Sequence, residues 1–452
     1  MSGAYPNYRD SGVEWLGRLP GHWKVAKLKY LADFTGGGTP DRSNLDYWGG
    51  SIPWVSPKDM KVSRINTSEE CISERGLSES ASTLVDIGAV LLVVRSGILK
   101  HTIPVAINAV PVALNQDIRA VRFDQAHYLP AYFAHVIMGH NDQLLYLWRK
   151  QGATVESIEQ EYLSETRFPV PPLAEQCAIA AFLDRETGKI DALVEEQRRL
   201  IALLKEKRQA VISHAVTKGL DAAAPMKDSG VGWLGKIPEH WSMGRLKHDL
   251  EFLTSGSRGW AEHYADDGAL FLRIGNLTRD SLGLNLQDIQ RVDVPKGSEG
   301  ERTKVKAGDL LFSITAYLGS VAVVPEGLET AFVSQHVALA RLKSKRILPE
   351  WAGQVALSMV GRTYLEEQGY GGTKVQLALD DVSNFVVPIP PIEEQAKVVE
   401  YIDRKTSKFV ELVAEAEKAI ALLQERRSAL ISAAVTGKID VRGEIPISTE
   451  AA

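Results

Sequence analysis

The chain carries its own plan twice. DSGVEWLGRLPGHWKVAKLK (Asp10–Lys29) aligns without a gap with DSGVGWLGKIPEHWSMGRLK (Asp228–Lys247). A longer pair joins VPPLAEQCAIAAFLDRETGKIDALVEEQRRLIALLKEKRQAVISHAVTKGLD (Val170–Asp221) to IPPIEEQAKVVEYIDRKTSKFVELVAEAEKAIALLQERRSALISAAVTGKID (Ile389–Asp440), an offset of 219 residues. A period this long rules out a short solenoid repeat and predicts two like domains in tandem.

Between the matching ends the halves diverge. GGGTPDRSNLDYWGGSIPWVSPKDM (Gly36–Met60) faces TSGSRGWAEHYADDGALFLRIGNLT (Thr254–Thr278), and GAVLLVVRSGILK (Gly88–Lys100) faces GDLLFSITAYLGS (Gly308–Ser320). A glycine-rich loop and short apolar runs survive, so the frame is kept and the contact surface rewritten. AVLLVV, TIPVAI, IRAVRF and SVAVVP predict strands between Gly and Pro punctuation. LPAYFAHVIMGHNDQLLYLW (Leu129–Trp148) and LPEWAGQVALSMVGRTYLEE (Leu348–Glu367) predict a helix each, entered after a proline.

The shared carboxyl-terminal segments predict long helices. Apolar residues recur at spacings of three and four, giving one stripe per helix. The expected core is Ile190, Leu193, Leu200, Leu204 and Val211 in the first, and Phe409, Leu412, Leu423 and Leu430 in the second. A stripe needs a partner, and copies related by a pseudo-two-fold axis would pack antiparallel as an intramolecular coiled coil. Arg208 and Arg427 interrupt the stripe at matching places and would fix register. About 30 helical residues would span roughly 45 Å. The fold class expected is therefore α+β: two pseudo-symmetric mixed α/β lobes separated by two long antiparallel helices.

Bulk properties narrow the function. The 452 residues suit two to four domains, and 44% hydrophobic with 24% charged content is ordinary for a globular protein. Cys71 and Cys177 lie far apart, which predicts reduced thiols in a cytosolic protein. No signal peptide or membrane-length apolar run is evident. No Walker A pattern, CxxC, HExxH or GxSxG elbow occurs. VPPL and IPPI lack the polar residue with which an amino-methyltransferase loop grips its amine. No catalytic constellation and no metal site are expected.

GGGTP, IPWVSPKDM, VPPLAEQ, FLDRETGKIDALV and LLKEKRQAVISHAVTKGLD, with the opening SGVxWLG phrase of each half, resemble the specificity subunits of type I restriction–modification systems. The resemblance covers about residues 10–441. It implies a tail at 1–9, a target recognition domain at 10–172, a helical spacer at 173–227, a second recognition domain at 228–391, a second spacer at 392–441 and a tail at 442–452. It further implies a non-catalytic, cytoplasmic subunit in which each lobe reads half of a bipartite double-stranded DNA target. The helices would set the spacing and dock two methyltransferase subunits, and through them translocase/nuclease subunits. S-adenosylmethionine, ATP and magnesium would be used on those partners and not on this chain.

Charge opposes easy DNA binding. Net charge is −5, and residues 10–172 hold 16 basic against 18 acidic side chains, residues 228–391 17 against 20. Binding then requires one-sided clusters. Base readout and phosphate contact call for Arg, Lys, Asn, Gln or hydroxyl groups on loops. In the first lobe these are Thr39, Arg42, Lys58, Arg95, Ser96, Lys100, His101 and Thr154. In the second they are Ser255, Ser257, Arg258, Arg273, Asn276, Thr315, Tyr317, Thr373 and Lys374, with Gln116 and Gln335 as aligned secondary choices. The recurring His22–Trp23 and His240–Trp241 are expected to be structural, the indole packing a turn and the imidazole satisfying nearby backbone. Arg198, Arg199, Lys205, Arg208, Lys418, Arg426 and Arg427 are the expected methyltransferase contacts. A protein-binding scaffold and a self-contained DNA-modifying enzyme are the alternatives.

Overall fold

The computed structural model describes residues 3–150, 155–294, 298–343, 345–370 and 375–444. It divides into two units, residues 1–197 with 418–452 and residues 198–417. Each long helix is shared out, its start to one unit and its end to the other.

In the first lobe a five-stranded sheet runs in the order Ala32–Gly36, Ile118–Phe123, Val90–Val93, Val105–Asn108 and Arg64–Ile65, antiparallel except for the last pair. Val90–Val93 is buried at every position, as an all-apolar run in mid-sheet must be. A four-stranded sheet orders Glu70–Ile72, Trp48–Val55, Val112–Leu114 and Leu84–Val85. The second lobe repeats the plan. One sheet orders Leu250–Ser255, Val337–Leu342, Leu310–Ser313 and Val321–Val323; the other orders Tyr264–Ala265, Arg291–Val292, Ala269–Leu272 and Ala331–Val333. The strands expected from AVLLVV, TIPVAI, IRAVRF and SVAVVP are all present.

Each expected single helix after a proline is two. Pro130–Gly139 is followed by Asn141–Trp148, and Pro349–Leu357 by Met359–Glu367. The break makes room for a long helix. A Cβ on Gly139 would lie 2.9 Å from Ile431 Cγ2. At the matching break, Ser213 Oγ accepts from Met359 N at 2.9 Å.

Helix α1 spans Leu173–Lys218 (46 residues) and α2 spans Ile392–Val435 (44 residues), longer than expected. Both end where glycine takes a left-handed conformation, Gly219 at φ +71° and Gly437 at φ +66°. The first lobe's core takes Ile179, Phe182 and Leu183 from α1 and Ile431, Ala434 and Val435 from α2. The second takes Val398 and Ile402 from α2 and Ile212, Ala215 and Val216 from α1. Each lobe is thus built on the start of one helix and the end of the other. In the first unit the segments run antiparallel, with Arg427 Nε donating to Asp191 Oδ1 at 2.8 Å.

Along α1 one row of buried or half-buried positions, Leu183, Thr187, Ile190, Val194, Gln197, Ile201, Leu204, Arg208, Val211 and Ala215, keeps a strict alternation of four and three. The same positions 219 residues on in α2, from Ile402 to Ala434, are likewise buried or half-buried. This corrects part of the expected core. Ile190 and Leu204 are buried and Val211, Phe409, Leu423 and Leu430 half-buried, but Leu193, Leu200 and Leu412 are 45%, 43% and 37% exposed. They sit one step off a row of period 3.5.

The opening phrase holds each helix start. His22 Nε2 lies 2.7 Å from Glu175 Oε1, while Trp23 Nε1 and Tyr5 Oη each donate to Glu175 Oε2 at 2.9 Å. In the second lobe His240 and Trp241 meet Glu394 at 2.8 and 3.0 Å. The imidazoles therefore meet a carboxylate, not the backbone as expected. The same indoles touch the ends of the other helices, since a Cβ on Gly219 would meet Trp241 and one on Gly437 would meet Trp23. Burial and the adjacent Glu175 carboxylate hold the Tyr5 phenol well above its ordinary pKa, so it remains a donor. The neighbouring glutamine fastens the lobe. Gln176 accepts from Leu129 N and donates to His127 O and Pro171 O; Gln395 accepts from Leu348 N and donates to Arg346 O and Pro390 O. This explains the repeated PPLAEQ and PPIEEQ.

Glu175→Ala strips the acceptor from two buried donors and a histidine. Urea unfolding of the first lobe is expected to show a loss of about 3 kcal/mol. Glu394→Ala should cost less, having two partners. Equal, negligible losses would show that the clip does not hold the helix.

Candidate nucleic-acid interface

The glycine loops are set by steric need. A Cβ on Gly37 would overlap Leu114 O, and one on Gly256 would overlap Val333 O. These are matching positions in the two lobes, and in both the loop lies against the strand that leads to an exposed glutamine, Gln116 or Gln335. The two glutamines named from sequence as secondary choices thus occupy matching exposed positions beside the glycine loops.

In the first lobe Thr39 Oγ1 donates to Gln116 Oε1. Arg95 Nε donates to Asp117 Oδ1 at 2.6 Å. Ser96 caps the turn Gly97–Lys100, accepting from Ile98 N, and Lys100 and His101 stand exposed at its end. Ser96 N donates to Glu156 O at 3.0 Å, which brings in the segment after residue 154. Lys58 is exposed on the turn leaving Trp48–Val55, whose Val55 O accepts from Asn115 N. Thr39, Arg95, Ser96, Lys100, His101 and Gln116 therefore gather at one end of the sheets. Arg42 is otherwise engaged: its NH2 donates to Glu70 Oε2 at 2.8 Å, and its guanidinium lies 4.0 Å from the Trp48 ring centroid. Thr154 lies outside the described residues.

In the second lobe Gln335 N donates to Ser257 O, Ile314 N to His336 O, and Thr315 is bridged to Gln376. The matching loops therefore converge here too. Arg258 is exposed and Ser255 half-buried. Arg273 donates to Asp288 at 3.0 Å. It lines a cavity of about 420 Å³ with Trp260, Tyr264, Phe271, Gln335 and His336. Three residues expected at the surface are not there. Ser257 is buried against Thr303 Oγ1 at 2.8 Å. Asn276 is buried, accepting from Arg273 N and donating to Asn285 O and Asp288 O, so it locks its own loop. Thr315 is buried as well. Thr373 and Lys374 lie outside the described residues.

Most arginines on these loops already face a carboxylate: Arg42 with Glu70, Arg95 with Asp117, Arg149 with Glu156, Arg273 with Asp288, Arg279 with Glu366. Hydrogen bonds from Arg42 hold the Glu70 carboxyl below its usual pKa, so it stays charged. A phosphate must compete with these partners. Arg208 and Arg427, two of the expected methyltransferase contacts, are likewise committed. Arg208 is buried and pairs with Asp280 at 3.0 Å, and Arg427 pairs with Asp191.

Gly37→Ala and Gly256→Ala are expected to push each loop off its strand. Each should lower hydrogen-exchange protection of the loop and the strand it lies against in the altered lobe alone. Unchanged protection in both lobes would show that the glycine contact does not set the loop.

Among the described residues no helix is long and apolar enough to cross a membrane. Comparison with known proteins matches residues 20–201 and 296–421, together more than half the chain, to the family described as type I restriction modification DNA specificity domain. The chain is 34% identical over 201 residues to the EcoR124I/EcoR124II specificity subunit of Escherichia coli, covering 44% of this chain and 48% of that one. The chain thus spans about half the length of that relative. It is 23% identical over 442 residues to the MjaIX specificity subunit of Methanocaldococcus jannaschii, covering 94% and 95%. A solved structure, described as bearing on complex assembly and conformational transition of the type I R-M system, shares the fold with a TM-score of 0.65 and 18% identity. It covers 93% of this chain and 99% of its own. The two lobes, their glycine loops and their shared long helices are therefore those of a type I restriction–modification DNA specificity subunit, the family to which this chain belongs.

Proposed function

We propose that each lobe reads one half of a bipartite double-stranded DNA target, that the long helices set the gap, and that this chain performs no chemistry itself. The observation that supports this reading is the repeated loop frame. The same glycine contact presents a glutamine in both lobes, while the side chains around it differ. One scaffold with two different faces suits two different half-sites.

Leu193 and Leu203 on α1 are exposed apolar positions that recur at matching places on α2 as Leu412 and Leu422, and Leu200 is exposed beside them on α1. Arg198, Arg199, Lys205, Lys418 and Arg426 flank them and are exposed. Such rows suit two methyltransferase subunits docking on equivalent helix faces, with translocase/nuclease subunits joining through them. S-adenosylmethionine, ATP and magnesium then act on those partners, in the cytoplasm. The paired arginines suit weak, salt-sensitive binding by this chain alone and tight binding in the complex.

Genome-wide methylation mapping with and without the gene tests the proposal. A split motif that appears only with the gene supports it. An unchanged methylation pattern, or methyl transfer by the purified chain alone, contradicts it.

A further inference from the structure

Ala316 and Tyr317 are the only non-glycine residues with positive φ among the described residues, at +47° and +32°. Each pays a steric cost that glycine would avoid, and such outliers persist only where the surroundings hold them. Here Ser313 Oγ donates to Thr315 O and Ala316 O at 3.2 and 3.0 Å. Ser320 Oγ donates to Tyr317 O at 2.9 Å, and Leu318 is buried. The result is a tyrosine residue 70% exposed at the tip of a braced loop.

The loop belongs to the candidate interface, since Ile314 N donates to the carbonyl of His336, next to Gln335. Its other flank is cationic. A Cβ on Gly319 would lie 2.6 Å from Arg362 Cγ. Arg362 is near Arg279 and Arg208, with Asp280 and Glu366 as the opposing charges. The Nε atoms of Arg279 and Arg362 are buried without partners. Three guanidiniums against two carboxylates leave an excess of positive charge beside an exposed aromatic tip. In the first lobe the matching residue is Gly97, with no side chain at all.

We propose that Tyr317 enters the DNA at the second lobe's half-site as an aromatic wedge, stacking on a base while Arg279 and Arg362 draw in the adjacent backbone. This rests on the DNA-reading function proposed above. Wedge insertion unstacks a base step and bends the duplex, and the loss of symmetry between Tyr317 and Gly97 confines the distortion to one half-site.

The test uses the full chain assembled with its methyltransferase subunits. The probe is a duplex carrying the mapped motif, with 2-aminopurine placed in each half-site in turn. Fluorescence should rise on binding only in the half-site assigned to residues 228–391. Tyr317→Gly suits the backbone, so the loop keeps its shape; it should abolish the rise and weaken binding about tenfold. Tyr317→Phe should keep both. A rise that survives Tyr317→Gly, or that occurs in both half-sites or in neither while both are protected, overturns the wedge alone. Failure of the wild-type complex to protect either half-site overturns the DNA-reading function and the wedge with it.

Discussion

A chain ending at Glu417 is expected to lose its first lobe and keep its second. The deletion removes Ile431, Ala434, Val435 and Val441, all fully buried in the first lobe's core. It also takes the Val435 carbonyl from Tyr132 Oη and the Gly437 carbonyl from Tyr8 Oη, bonds of 2.8 and 2.7 Å. Each larger aliphatic side chain contributes about 2 kcal/mol when buried, and a domain's whole stability is about 10 kcal/mol. Losing several at once, with the cavity left behind, should unfold the lobe. Limited proteolysis read by mass spectrometry should degrade residues 10–172 while 228–391 persist. A first lobe as resistant as in the full chain would show that the exchange of helix ends is dispensable.

Removing one heptad from both long helices is expected to shorten the gap in the recognised motif and leave the half-sites unchanged. Deleting residues 194–200 and 413–419 together keeps the alternation of four and three on each side of the cut. Seven residues correspond to about 10 Å of helix, or about three base pairs of duplex at 3.4 Å each. The lobes, each seated on helix starts and ends outside the cut, should keep their faces. Methylation mapping would show the same letters around a shorter gap. Altered half-site letters with an unchanged gap would contradict a spacing role for the helices.

The architecture was legible because a duplication displays it: where two stretches match, the frame is shared, and where they part, the surface differs. Strands such as Val90–Val93 announced themselves as unbroken apolar runs. The buried row on the helices was harder to place. Leu193 and Leu200 satisfy three-and-four spacing, yet a period of 3.5 puts them outside the row that includes Gln197 and Arg208. Composition favours the leucines; geometry buries the polar residues. The role of Glu175 was not legible, because its partners, Tyr5, His22 and Trp23, lie more than 150 positions away. The site was least legible. Asn276 and Ser257 are suitable base-reading types, but their hydrogen bonds are spent inside the lobe. Gln116 and Gln335 look ordinary until the glycine contacts bring both to the loop end.

Methylation mapping after residues 228–391 are replaced by a second copy of 10–172 tests the central claim most directly, that each lobe carries its own half of the specificity. A motif bearing the first lobe's half-site on both sides of the gap is the expected result. Retention of the original two different half-sites would contradict it.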